Sequence, residues 1–416
     1  MERVICRLIA EPERFFMLIS TEVEQHRLAE IAASARAWRH WLHARPELRY
    51  ELATTVEFLV TQLRSFGCDV VDTSTARSGI VALIHGVKPG PVVALRADMD
   101  ALPILERSQL PYRSTHSKLM HACGHDGHMS MLLGAGRLLC ESRDFNGSVA
   151  LVFQPAEEDG FGAQSMIDAG IFEKYGIREI YGLHNTPGLA IGTFATREGC
   201  LMAACDTIKG GFSGKGGHAA RPHQCQDPVL ATAHFVMALQ SIVSREVDAQ
   251  QSAVISITSI QAGSANNVIP DRSDIMGTVR TLDPSARALA VRRISETARH
   301  IAALHDVTTD VRVEFESSAT VNHAAQTQIA LAAARIANPA ALVDGNVAAM
   351  MFSEDFGVML EKCPGAFVFL GNGPSSALHA DDYDFNDDIL PIGILYFATV
   401  ATLALQRLES ERPVPS

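Results

Sequence analysis

No CxxC pair occurs in this chain of 416 residues, although it carries eight cysteines: Cys6, Cys68, Cys123, Cys140, Cys200, Cys205, Cys225 and Cys363. Cysteines scattered in this way through a long chain do not form a disulfide framework, so a reducing compartment, the cytoplasm, is expected. Basic residues are scarce as well. Lys and Arg number 35 against 47 Asp and Glu, a formal net charge of −12. A nucleic-acid-binding surface needs clustered Lys and Arg, so no nucleic-acid partner is expected. A small anionic substrate, which needs only one or two placed cations, stays open. No stretch of ~20 uncharged apolar residues stands out, so no membrane span is expected. At the N-terminus Glu2, Arg3, Arg7, Glu11, Glu13 and Arg14 interrupt the apolar patches, which argues against a signal peptide. No GxGxxG follows the first predicted strand, which leaves a dinucleotide site unsupported. Internal repeats and low-complexity linkers are also missing.

What is present suits a globular protein of more than one domain. The length exceeds one ordinary core, and 47% hydrophobic with 20% charged residues is the balance of a soluble chain. Leu28, Ile31, Ala35, Trp38 and Leu42 recur at helical spacing over 27–43. A second helix is predicted from about Thr54 to Phe66, ended by Gly67. Ile80–Ile84, Val92–Ala97, Val149–Phe153 and Ile180–Leu183 read as buried strands, with a helix over Met129–Cys140. Strands alternating with helices predict an α/β domain built on a mixed, largely parallel sheet flanked by helices.

The pattern changes near residue 200. Asp206–Ser213 reads as a strand, and Val229, Ala233, Val236, Leu239 and Val243 mark a helix. Ala253, Ile255, Ile257 and Ser259 lie on one strand face, followed by a strand over Asp274–Thr281. A helix from about Pro284 to Leu304 follows, and Val311, Val313 and Phe315 alternate in a last strand. Strand, helix, strand, strand, helix, strand is the split βαβ order of a ferredoxin-like α+β domain. It is expected as an insertion, 201–316, between catalytic halves 26–200 and 317–410. The second half carries a strand over Ala366–Leu370 and a helix over Ile389–Leu405. The first ~25 residues match no pattern and are expected as an extra helix or a tail.

The segment His121-Ala-Cys-Gly-His-Asp-Gly-His128 holds the richest chemistry. Thiolate and imidazole suit borderline transition metals, and Cys123 and His125, two apart, can face one side of an extended loop. Alone, the segment is nearly as well explained as a His-rich turn with a structural Cys. Glu157 and Glu158 follow the strand Val149–Phe153 and a Pro turn; one could bind a metal while the other serves as general base. Alone, that pair would be an ordinary charged loop. Convergence changes the balance. Asp98 and Asp100 end one strand, His184 ends another, and His379 follows Ala366–Leu370. In open α/β sheets the ligand crevice lies beyond the strands' C-terminal ends. So many ligands on one sheet edge exceed a closed four-coordinate zinc, and two metals joined by a shared ligand fit better.

With these residues in view, the chain resembles the metallopeptidase family of hippurate hydrolases, aminoacylases, carboxypeptidase G and plant auxin-conjugate amidohydrolases. The matching stretches are HARPEL (43–48), RADMDALPI (96–104), MHACGHDGH (120–128), FQPAEE (153–158), GLHN (182–185), GKGGHAARPH (214–223), NVIPD (267–271), SEDF (353–356) and LHADDYDFND (378–387). The resemblance implies a metal-dependent hydrolase of amide bonds in small N-acyl amino acids, N-acetyl or N-benzoyl among them. It implies two divalent ions per chain, manganese, zinc or cobalt. Cys123 would bridge them, with His125 and His184 completing one site and Glu158 and His379 the other. Glu157 would be the general base, and Asp98 and Asp100 would orient ligands. The insertion would be a lid and dimerisation domain. His218, Asn267 and Arg280 match substrate-contacting positions, the first two reaching the site of the partner in a homodimer or higher homo-oligomer. Two stretches depart from the family pattern. Asp159-Gly-Phe-Gly162 stands where a glycine run is common, and Ala380-Asp-Asp382 where an Asn-Pro-basic stretch is usual. Both flank the expected site, so substrate preference is open to change. The competing readings are a metallo-carboxypeptidase or dipeptidase, for which only the pocket would differ, and a metal-storage or regulatory module, which would not need Glu157.

Overall fold

The computed structural model describes residues 22–159 and 161–411. The expected helix or tail at the N-terminus lies outside them as far as residue 21. The chain begins with α1 (Glu22–His43), α2 (Ala53–Ser65), β1 (Val70–Asp72), β2 (Ile80–His85) and β3 (Lys88–Asp98). Then come α3 (His125–Ser142), β4 (Asn146–Gln154), β5 (Ile177–Pro187) and β6 (Phe194–Ala195). The next stretch holds β7 (Ala204–Ser213), α4 (Pro228–Ser241), β8 (Ala253–Ala262), β9 (Arg272–Thr281), α5 (Pro284–Leu304), β10 (Thr308–Thr309) and β11 (Arg312–Ser317). The chain closes with α6 (Ala324–Ala337), β12 (Val343–Asp344), β13 (Gly365–Gly373) and α7 (Leu390–Ser410). Contacts group it into two units. Among the described residues, one holds those up to Gly199, Val321–Ala348 and those from Val358 to 411; the other holds Cys200–Thr320 with Ala349–Gly357.

The first unit is built on an eight-stranded sheet in the order β1-β2-β4-β3-β5-β13-β6-β12. The pairings β3–β4, β3–β5, β5–β13 and β6–β12 are parallel, and the other three antiparallel. The sheet is therefore mixed and largely parallel, as the alternation of strands and helices predicts. Its central strands are buried on both faces, which is why Val149–Phe153 and Ala366–Leu370 read as unbroken apolar runs. The Glu47 carboxylate, from the loop after α1, accepts hydrogen bonds from the backbone N–H of Thr54 (3.1 Å) and Thr55 (2.8 Å), capping α2 where Leu52 cannot.

One helix bears on the expectation of no membrane span. The segment Asp387–Ser410, which contains α7, is long and apolar enough to cross a membrane by length and composition. In this fold it is a core helix. Ile394, Tyr396, Phe397, Val400, Ala401 and Ala404 have no exposure, and the helix packs on α3, α6 and β3. A helix covered on all sides is apolar all round.

The second unit carries a five-stranded antiparallel sheet in the order β8-β9-β7-β10, with β11 also pairing β7. Taken in chain order this is 2-3-1-4, the split βαβ arrangement. Both helices start on an Asp cap followed by Pro. Asp227 accepts from the N–H groups of Val229 and Leu230, and Asp283 from those of Ser285 and Ala286. Phe235 and Leu239 of α4 and Ile294 and Ile301 of α5 share a core with Ile208, Phe212, Ile275 and Val279 of the sheet. Two details differ from simple alternation. A register shift between Ile257 and Ser259 breaks the run along β8. Phe315 is exposed, with the Arg287 guanidinium 5.0 Å from its ring centroid.

Candidate metal centre

Five segments at one edge of the first sheet carry the chemistry. After β3 the chain passes through Asp100, whose carboxylate accepts the backbone N–H of Glu157 at 2.9 Å and of Glu158 at 3.3 Å. The Asp100 carbonyl accepts from Nδ1 of His125 at 2.7 Å. One residue thus orients the two-glutamate turn and one imidazole. The turn itself is forced. Ala156 has φ +50°, and a Cβ on Gly162 would lie 1.6 Å from the Pro155 carbonyl. Asp98 works through other groups. Its carboxylate accepts from Arg96 at 2.6 Å and lies 2.7 Å from Nδ1 of His128, while Arg96 also donates to Gln154 at 2.8 Å.

Helix α3 starts at His125 rather than near Met129, so this candidate ligand sits at a rigid helix N-terminus. Gly124 precedes it with φ +88°, and a Cβ there would meet Oδ1 of Asn185 at 2.4 Å and the Tyr383 hydroxyl at 2.9 Å. Asn185 and Tyr383 therefore form a floor beneath the Cys123–His125 turn. The Asn185 amide donates to the Tyr383 hydroxyl at 2.5 Å, and its Oδ1 lies 2.8 Å from Nε2 of His128. His184 lies inside β5, not at its end, and its Nδ1 donates to the Asn185 carbonyl at 2.6 Å. His379 takes φ +66°, and its N–H is held by the Ala122 carbonyl at 2.8 Å.

These segments bring together two candidate ligand sets that share one residue. Donor atoms of Cys123, His125 and His184 lie within 4.8 Å of one another, and so do those of Cys123, Glu158 and His379. The Cys123 Sγ is 3.4 Å from Nε2 of His184, and Oε1 of Glu158 is 3.4 Å from Nε2 of His379. A third such group joins His125, Glu157 and Glu158, which puts half-buried Glu157 beside both sets.

The donor set fits divalent cations. Both Nδ1 atoms of His125 and His184 are tied to backbone carbonyls, which leaves each Nε2 facing the cluster. The buried Nε2 of His125 has no hydrogen-bond partner among the described residues. Neither has the buried Oε1 of Glu158, whose contact with His379 is an ion pair without hydrogen-bond alignment. Burial pushes His125 and His184 below the usual imidazole range and keeps them neutral, as ligation requires. Burial, followed by the charges of Glu158, Glu157 and Asp98, holds the Cys123 thiol well above its ordinary value. Among those carboxylates the thiol gives up its proton only when positive charge arrives.

Behind the cluster lies a buried ionic network. Fully buried Arg39 reaches Asp126 and Asp384, each at 3.3 Å, and also Asp387. His43 lies 2.9 Å from Asp126 and 3.4 Å from Glu106. Burial alone would lower the His43 imidazole, but Asp126 outweighs it and raises it to about 9.

The remaining sequence candidates lie in the second unit. His218 is exposed on the short strand Gly217–His218, paired with Val268, and its Nδ1 accepts from the Ala220 N–H at 3.1 Å. Asn267, also exposed, accepts the Ala219 N–H at 3.0 Å on its carbonyl. Arg280 on β9 donates to Thr278 at 3.1 Å and to Ser353 at 2.5 Å. The structure thus gathers the predicted metal ligands, Glu157, Asp98 and Asp100 in one unit, and sets His218 beside Asn267 in the other. Sequence reasoning gave no part to His128, Asn185, Tyr383 or Arg96. His128 carried a signal, its i, i+3 spacing from His125, and the two rings are 5.4 Å apart.

The model of peptidase family M20/M25/M40 matches residues 94–403. The chain belongs to this family. It is a metal-dependent hydrolase of amide bonds, in a family with dinuclear metal binding. It is 38% identical to a hippurate hydrolase of Campylobacter jejuni, over 87% of this chain and 94% of that protein. It is 35% identical to an N-acetylcysteine deacetylase of Bacillus subtilis, over 89% and 97%. A solved structure described as a dinuclear metal-binding peptidase of the M20 family, from Bacillus subtilis, superposes with a TM-score of 0.80 at 32% identity, covering 91% of this chain and 99% of that one.

Proposed function

We propose that this M20 enzyme hydrolyses the amide bond of N-acyl amino acids, N-acetyl or N-benzoyl among the acyl groups, releasing a carboxylate and a free amino acid. The observation that carries this reading is the pair of ligand sets sharing Cys123 with Glu157 beside them. Cys123 would be shared between two divalent ions, manganese, zinc or cobalt, with His125 and His184 holding one and Glu158 and His379 the other. Such ions acidify the attacking water and polarise the acyl carbonyl. Glu157 takes the proton from that water and returns it to the departing nitrogen, so amide and water become acid and amine. His218 and Asn267 meet the substrate across a homodimer, with His218 steadying the developing oxyanion, and Arg280 contacts substrate as well. Dimerisation is supported by the free edge of β8, which exposes Val254 and Ile260. A reducing compartment is supported by seven free cysteines among the described residues.

The test is hydrolysis of N-benzoylglycine, N-acetyl amino acids and dipeptides by protein stripped with a chelator and refilled with manganese, zinc or cobalt. Metal-restored cleavage of the acyl amino acids is expected. Cleavage of dipeptides alone would establish the peptidase reading instead. Two bound ions without turnover on any substrate would favour a binding module.

A further inference from the structure

A second thiol-bearing position lies in the first unit, away from the metal ligands. The Sγ atoms of Cys68 and Cys140 are 3.6 Å apart. Cys68 follows Gly67, which ends α2 at φ +80°, and its N–H is held by the Leu63 carbonyl at 3.3 Å. Cys140 lies in the last turn of α3.

Arg143 clamps the two segments together. It takes the left-handed conformation, φ +49°, just beyond α3. Its guanidinium donates to the Gly67 carbonyl at 2.7 Å, the Asp69 carboxylate at 2.8 Å and the His85 carbonyl at 2.9 Å. The residues on either side of Cys68 are therefore tied to the end of the helix that carries Cys140. Cys68 is partly exposed and Cys140 is 8% exposed, which leaves a path for a small oxidant but none for a bulky one.

We infer that Cys68 and Cys140 form a dithiol that a hydroperoxide oxidises to an intramolecular disulfide. A disulfide spans ~2.05 Å, so the two sulfurs must close by about 1.5 Å. The Cys140 sulfur attacks one peroxide oxygen, the O–O bond breaks, one water leaves and a sulfenic acid remains. The Cys68 sulfur then attacks the sulfenic sulfur, the S–O bond breaks and a second water leaves. Two thiols and one hydrogen peroxide thus give one disulfide and two waters, with two electrons passing to the peroxide. Cys140 suits the first step. The Arg143 charge favours its thiolate. Cys68, 3.6 Å away, is placed for the resolving step.

The cross-link would join positions 72 residues apart and staple the loop after α2 to the far end of the helix whose first residue is His125. It restricts the unfolded chain, and the ligands sit at the opposite helix end. Stability is therefore expected to rise while turnover stays level.

The experiment is titration of the metal-loaded enzyme with hydrogen peroxide, followed by intact-mass measurement and non-reducing peptide mapping. The expected result is a loss of about two mass units on a peptide pair joining Cys68 to Cys140, Tm raised by roughly 5 °C, and full reversal by dithiothreitol. Cys68→Ser is expected to abolish the cross-link and leave oxygen adducts on Cys140. Wild-type protein that carries such adducts on Cys140 while Cys68 stays a free thiol would overturn the inference. So would a cross-link through any other cysteine. The wild-type mapping needs no variant to fold, and its outcome does not depend on the substrate.

Discussion

The ligand edge of the first unit and the His218–Asn267 pair of the second solve different problems. At the ligand edge the groups other than the exposed His379 side chain are held from behind. His125 is fixed by the Asp100 carbonyl, His184 by the Asn185 carbonyl, the Glu157–Glu158 turn by the Asp100 carboxylate, and the Cys123–His125 turn by the floor of Asn185 and Tyr383. His218 is held by one backbone N–H on its ring, and both it and Asn267 face solvent. Ions need ligands placed before they arrive, and buried polar groups keep their places only when their other bonds are satisfied. A group that meets substrate can stay mobile until substrate orders it, at a cost in binding entropy. The first arrangement is therefore brittle under mutation and the second tolerant in stability.

The comparison can be broken in several ways. The largest expected effect is on chemistry at the ligand edge: Glu157→Gln should lower kcat by ~10²–10⁴ and leave two ions bound, as measured by steady-state kinetics beside metal analysis. Loss of an ion would make Glu157 a ligand rather than the base. Next comes the exposed region. His218→Ala should lower kcat by ~10²–10³ with Tm unchanged. A substantial drop in Tm would show that this region is as tightly built as the other. Tyr383→Phe is the sharper probe of the floor, because it removes one hydroxyl and keeps the ring. It should weaken metal binding ~10–100-fold in a competition titration with a chelator. Unchanged affinity would mean that Asn185 needs no anchor.

The same contrast explains what could be read in the sequence. The gathering of Cys123, His125, Glu157, Glu158, His184 and His379 at one edge was legible because each follows or ends a recognisable apolar run, or lies in a motif, and strand ends of a parallel sheet converge. The central strands were legible because both of their faces are buried. Asn185 and Tyr383 were not, since a neutral amide and a phenol have no spacing rule and meet only through the fold, at 2.5 Å and |i−j| of 198. The start of α3 was missed because Gly124 and the ligands themselves begin the helix where a loop was expected. Thr and Gly dilute the apolar run of α7, and the fold buries most of it as a core helix.

The smallest expected effect concerns stability and leaves turnover alone. His43 opens one of the family motifs, yet no role could be read for it; in the fold it pairs with Asp126, the residue after His125. Its imidazole is raised from 6.5 to about 9, because Asp126 outweighs burial. A group that holds its proton more tightly when folded stabilises the fold fully below the unfolded value, and the gain fades as pH rises through the folded one. The Tm of the wild type should therefore exceed that of His43→Gln by a few degrees at pH 6, and the gap should close between pH 6.5 and about 9. Thermal melts of both proteins across that range decide the matter. A gap that stays constant with pH would mean that His43 supports the start of α3 through packing and neutral hydrogen bonds. The ligand edge would then owe its rigidity to Arg39 and its carboxylates without help from a charged imidazole.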